Sequence, residues 1–132
     1  VQKPKIYFRD PGLLHSLLDV RDYHTLLGNP KVGASWEGFA LEQVLQVIQP
    51  SQAYFWGVHS GAELDLMFLR DGHRYGIEAK FSEAPEVTSS MKTALNELGL
   101  SHLWIIYPGK HTYPAEKKIT ILSLQNIGEL PT

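Results

Sequence analysis

Asp65, Glu78 and Lys80 are the residues whose types and spacing could do chemistry. They flank the dipeptide Asp71-Gly72, with strand-like segments on either side. A two-residue Asp-Gly loop fixes the register of a β-hairpin, because both loop positions take positive φ. With Arg70 opposite His73, Asp65 falls directly opposite Glu78, and Glu63 opposite Lys80. Alternation along the strands then sends Glu63, Asp65, Glu78 and Lys80 to one face. Leu64, Leu66, Phe68, Tyr75, Ile77 and Ala79 go to the other, which reads as core.

Two carboxylates directly opposite each other repel. Solvent, a raised pKa or a cation relieves the repulsion. A hard cation such as Mg²⁺ takes a few carboxylates plus waters and leaves room for a substrate phosphate. A neighbouring lysine can position the attacking water or stabilise charge on the phosphate. The set therefore suits metal-assisted phosphodiester hydrolysis. In a cation site of this kind, removing Asp65 raises the melting temperature of the metal-free chain and abolishes stabilisation by metal. A plainer reading stands beside it. Glu63 and Lys80 could form a cross-strand ion pair, and Asp65 and Glu78 could be surface charges, since Glu-x-Lys triplets arise often by chance. The strand itself favours chemistry: Gly76 to Phe81 is apolar apart from the two charges.

The elements that must hold these residues are legible. Ser35 reads as the N-cap of a helix whose apolar face is Phe39, Leu41, Val44, Leu45 and Ile48, and Pro50 stops it. Gly28-Asn29-Pro30 reads as a breaker before it. Strands are expected over Tyr54 to Val58, Glu63 to Leu69, Tyr75 to Phe81, Ser101 to Tyr107 and Lys118 to Leu122. A second helix runs from Ser89 to Leu98 and ends at Gly99. Upstream, Lys5 to Phe8 reads as a short strand and Gly12 to Leu18 as a short helix. The order is that of an α/β domain with a mixed central sheet flanked by helices.

Composition sets the outer limits. A chain of 132 residues fits one domain, and 43% hydrophobic residues suffice for a core. The net charge of −2 lacks the basic excess usual for duplex DNA binding, so any such binding needs a local patch or a partner domain. There is no cysteine, which excludes disulfides, thiolate metal sites and cysteine nucleophiles. No apolar run reaches the roughly 18 residues of a membrane span, and a cytoplasmic location is expected. The chain starts at Val1 and reads as a fragment of a longer protein.

The order of motifs resembles the PD-(D/E)XK, or restriction-endonuclease-like, nuclease superfamily. Its members carry a helix with a Glu, a hairpin strand with an Asp, and a following strand with Glu/Asp-x-Lys. Gly33-Ala34-Ser35-Trp36-Glu37 opens the helix here, so Glu37 is the matching acid, Asp65 matches the metal-binding Asp, and Glu78-Ala79-Lys80 matches the last element. The resemblance implies an αβββαβ core, with Glu37, Asp65, Glu78 and Lys80 catalytic. It also implies Mg²⁺ or Mn²⁺ held by Asp65 and Glu78 with help from Glu37, and a DNA substrate. Nearly the whole chain is also similar to a C-terminal domain of prokaryotic P-loop AAA-type ATPases. The matching stretches are Lys5 to Leu13, the Gly-x-x-x-Glu helix, Gly61 to Asp65 and Ile77 to Lys80. This implies an ATPase domain upstream in the same polypeptide, with residues 1–32 leading in from it. The chain itself holds no Gly-x-x-x-x-Gly-Lys-Ser/Thr loop. A homo-oligomer and a non-catalytic role, as a DNA- or protein-binding module of that ATPase, are also compatible with the resemblance.

The remaining polar residues read as ordinary. Glu42 could substitute for Glu37 but sits where a solvated helix residue is expected. No His-x-x-x-His pair suggests zinc. His59 could touch a phosphate, and Lys92 and Lys110 could meet a nucleic-acid backbone, yet surface positions are the default for all three. Trp36, Trp56 and Trp104 read as core.

Overall fold

The computed structural model describes residues 30–50, 53–57 and 63–132. Helix α1 spans Pro30–Ile48, and strands β1 (Ala53–Gly57), β2 (Glu63–Arg70) and β3 (His73–Ala79) follow. Helix α2 (Ser89–Glu97) leads to β4 (His102–Tyr107), β5 (Tyr113–Glu116), β6 (Ile119–Ser123) and a 3₁₀ helix (Leu124–Glu129). The strands form one mixed sheet of order β1-β2-β3-β4-β6-β5. The β1-β2-β3 meander is antiparallel, whereas β3, β4 and β6 run parallel. The α/β class, the mixed sheet and its flanking helices agree with the sequence. The expected strand and helix over residues 5–18 lie outside the described residues.

The two faces of the sheet carry separate cores. Trp36, Ala40, Leu41, Val44 and Ile48 form the buried stripe of α1, which packs on Leu66, Phe68, Ile77 and Ile106. On the other face Met91 and Ala94 of α2 pack with Leu103, Ile105, Ile119 and Ile121. Thr88 caps α2 by accepting the Met91 N–H at 3.2 Å. The Asp71-Gly72 turn forms as expected: Arg70 pairs with His73, and the two loop residues have φ of 53° and 79°. At the end of β2, Arg70 donates to the carbonyl of Ile48 and so places a cation at the C-terminus of α1.

Three expectations need correction. Helix α1 begins at Pro30, not at Ser35. Proline has no N–H to lose in a first turn and its φ suits that position, so the supposed breaker is a starter. Strand β5 was not foreseen; its Tyr-Pro-Ala-Glu is wholly exposed and exists only by pairing with β6. Leu64 does not share a face with Leu66. It belongs to the α2-side core, because the β1–β2 register shifts between Tyr54/Met67 and Trp56/Leu64. One extra residue of β2 is accommodated there, and such a bulge re-aims every side chain beyond it. Leu64, Asp65 and Leu66 are consequently buried in succession, which a regular half-buried strand does not allow.

His102 sits between the ring of Trp104, centroids 4.6 Å apart, and the Thr120 hydroxyl, 2.7 Å from Nε2. Burial lowers its pKa from the ordinary 6.5. The unfolded chain therefore takes up this proton first as pH falls. Stability from this residue is intact above pH 6.5 and declines below it, levelling off once the folded form also protonates. Melting temperatures between pH 7.5 and 5 should fall more steeply for the wild type than for His102→Gln, with the difference developing below about pH 6.5. Parallel curves would remove His102 from the acid response.

Candidate functional site

The β2–β3 ladder runs from Arg70↔His73 to Leu66↔Ile77 and stops there. Strand β2 remains paired with β1 out to Glu63, and β3 remains paired with β4 out to Ala79. The hairpin thus opens into a fork at the level of Asp65 and Glu78. In an unbroken hairpin of this register, hydrogen-bonded pairs recur at every second residue, and the next would be Leu64 with Ala79. Side chains take over instead. The Ala79 N–H donates to Asp65 Oδ2 at 2.9 Å, and the Asp65 N–H donates to Glu78 Oε1 at 2.9 Å. Two carboxylates close the fork, one by accepting the Ala79 amide that the missing ladder pair leaves behind and the other by accepting the neighbouring Asp65 amide.

Both acids are buried, Asp65 at 9% and Glu78 at 6% relative exposure. Burial of charges at this depth demands partners. Lys80 supplies one, with Nζ 3.8 Å from Glu78 Oε2 and its own side chain 43% exposed. The ammonium group therefore stands between the buried carboxylate and solvent. Its backbone is fixed as well: Lys80 N–H donates to the Ile106 carbonyl at 2.8 Å.

Glu37 approaches from α1. Its Oε2 accepts the Phe81 N–H at 3.0 Å. The Phe81 ring rests 5.5 Å from that of Trp36 and 3.6 Å from the place where Gly33 would carry a Cβ. Glu37, Asp65, Glu78 and Lys80 all lie around the end of β3. Among the described residues, however, no three His, Asp or Glu side chains come together closely enough to hold one metal ion.

The other candidates fall away from this centre or outside view. Lys92 pairs with Glu116 at 3.4 Å on the exposed surface. Glu42 is half-buried farther along α1. His59 lies outside the described residues. Sequence reasoning missed Ser90, which joins the fork through the backbone of Glu63. The Glu63 N–H donates to Ser90 Oγ at 2.8 Å, and that hydroxyl donates to the Glu63 carbonyl at 3.2 Å. A serine in the first turn of a helix carries no sequence signal for such a role.

The sequence that builds this fold belongs to a known family of domains. Residues 32–127 match the domain of unknown function DUF4143, and the chain belongs to that family. It is 44% identical over 126 residues to an uncharacterized protein of Mycobacterium bovis and, to the same extent, to an uncharacterized protein of Mycobacterium tuberculosis. The match covers 96% of this chain and 29% of each relative's length. No solved structure matches the chain. Among the described residues no helix is long and apolar enough to cross a membrane.

Proposed function

We propose that this is a nuclease-like domain of restriction-endonuclease type that hydrolyses phosphodiester bonds of DNA with a divalent metal, appended to an AAA-type ATPase. The observation that carries the proposal is the fork: two buried carboxylates between diverging strands, with a half-exposed lysine 3.8 Å from one of them. A fork closed by side chains rather than ladder bonds is a weak point in the hairpin, and such irregularities gather at working sites.

Mg²⁺ or Mn²⁺ fits this donor set as a two-carboxylate ion with waters, the hold that magnesium commonly accepts. Asp65 and Glu78 would provide it, with Glu37 supporting from α1. The cation would supply an activated water and neutralise charge at the scissile phosphate. Lys80 would orient the water or stabilise the developing charge. The 29% coverage of the relatives supports an additional region in the polypeptide, which is where the ATPase would lie.

A second reading has one observation in its favour: the three acids do not form a ready metal cluster among the described residues. On that reading the carboxylates are structural plugs, and the domain is a DNA- or protein-binding module of the ATPase. Thermal melts with and without millimolar Mn²⁺ or Mg²⁺ separate the two. A working site at about 100 times its Kd gains about 2.7 kcal/mol, and the metal-loaded domain then cleaves branched or single-stranded DNA. Absence of both the shift and cleavage selects the module.

A further inference from the structure

We infer that Glu37 acts as a positioning residue, which fixes Lys80 against Glu78 through the backbone of Phe81 rather than by touching metal or substrate. The inference rests on the proposed site and assigns one member of it a different task.

Lys80 is the first residue past β3, where the strand no longer dictates its direction. Its ammonium can meet Glu78 only if the backbone that follows is held. Lys80 N–H is bonded to Ile106, and the Ser82 N–H turns back to the Lys80 carbonyl at 3.0 Å. Between them stands the Phe81 N–H, whose acceptor is Glu37 Oε2 at 3.0 Å. The amides of residues 80, 81 and 82 are thus consecutively tied to β4, to α1 and to Lys80 itself. Only the middle tie is made by a side chain.

That tie is rigid at both ends. The Phe81 ring is 8% exposed and lies in the α1-side core against Trp36. Glu37 is the residue after Trp36, so the same turn of α1 that buries the ring presents the carboxylate to the amide. An acceptor for a backbone N–H needs an oxygen at the right distance. It does not need a negative charge, whereas a ligand for Mg²⁺ or Mn²⁺ is much the better for one. Glutamine and alanine therefore divide the two roles.

The test compares wild type, Glu37→Gln and Glu37→Ala by three readouts. These are the metal-free melt, the shift produced by Mn²⁺ alone, and the rate at which an amine-selective acylating reagent modifies Lys80, followed by peptide mapping. Expected is a Glu37→Gln protein like the wild type in all three. Glu37→Ala should melt several degrees lower, and its Lys80 should be modified several-fold faster as the Glu78 contact loosens. Loss of the Mn²⁺ shift in Glu37→Gln with unchanged Lys80 reactivity would make Glu37 a metal ligand and overturn the inference. Unchanged Lys80 reactivity in Glu37→Ala would overturn it too. If Mn²⁺ shifts no protein, the metal reading of the site fails, while the Lys80 reactivities still decide the positioning role.

Discussion

Replacing Asp65 by alanine lowers the melting temperature of the metal-free domain, and replacing it by asparagine does not. Two effects oppose each other at this position. Asp65 and Glu78 are like charges, and a directly opposed pair on neighbouring strands is destabilising on a scale of roughly 0.2–1 kcal/mol. Yet Asp65 Oδ2 is the acceptor for the Ala79 N–H in the buried fork. A buried amide left without its acceptor costs about 1–3 kcal/mol. The hydrogen bond wins, so Asp65→Ala loses roughly 3–10 °C in a domain of this size. Asparagine keeps a carbonyl acceptor for Ala79 and removes the charge, so it melts at or above the wild type. On the proposed function both variants should lose the stabilisation by Mn²⁺ and most of any cleavage, since each removes a carboxylate proposed to hold the metal. Calorimetry of the three proteins with and without Mn²⁺ provides the comparison. An alanine variant that melts as high as the wild type would mean that repulsion dominates, as opposed charges alone suggest, and that the fork does not depend on its carboxylates.

The sequence made the centre of this site readable for a specific reason. Asp71-Gly72 is a turn whose geometry leaves no choice of register, so the distance of Asp65 and Glu78 from the turn sets them level with one another. What the register could not reveal is that the ladder ends just short of them. Ladder rungs and side-chain plugs have the same sequence, because any residue can lend its amide and an acid fits a solvated face as well as a fork. The misplaced Leu64 has the same origin. Period-two reasoning assumes one residue against one, whereas the β1–β2 pairing absorbs an extra residue near Asp65. The run Leu64 to Leu69 holds only one polar residue, so the pattern offers no alternation that could break visibly.

Tertiary context explains the rest. Tyr113 to Glu116 has a proline and no buried side chain, and only the free edge of β6 makes it a strand. Pro30 follows Gly28-Asn29, a combination that stops chains as often as it starts helices, and only the five turns behind it decide the matter. Glu37 was legible as an acid at the right place in the chain order. Its contact with Phe81 was not, because nothing in the local sequence ties residues 44 apart.

Lys80→Met should leave the fold nearly untouched while removing most of any catalysis, the reverse of what the ion pair alone would suggest. The pair with Glu78 spans 3.8 Å and its lysine is 43% exposed, so solvent screens it. Pairs with an exposed partner contribute about 0–1 kcal/mol, and the buried Glu78 carboxylate keeps the Asp65 N–H as a donor when the lysine is gone. Methionine retains most of the aliphatic stem, which limits the packing loss, and the melt should move by no more than a few degrees. The effect on rate is governed by different physics. An ammonium held at the mouth of a buried carboxylate pair, with its backbone pinned at residues 80 to 82, is preorganised toward charge that develops on a phosphate. Removing one such group from an electrostatic site costs about 10²–10³ in rate. The Mn²⁺ shift should persist in Lys80→Met, since the carboxylates remain, and this distinguishes it from Asp65→Asn, in which fold persists but shift and rate both vanish. Single-turnover cleavage beside the metal titration measures the two separately. A Lys80→Met protein that binds Mn²⁺ and cleaves at the wild-type rate would reduce Lys80 to a surface ion pair. A protein that cleaves slowly because Mn²⁺ no longer binds would instead show that the lysine serves the carboxylates, holding Glu78 in place, and not the substrate.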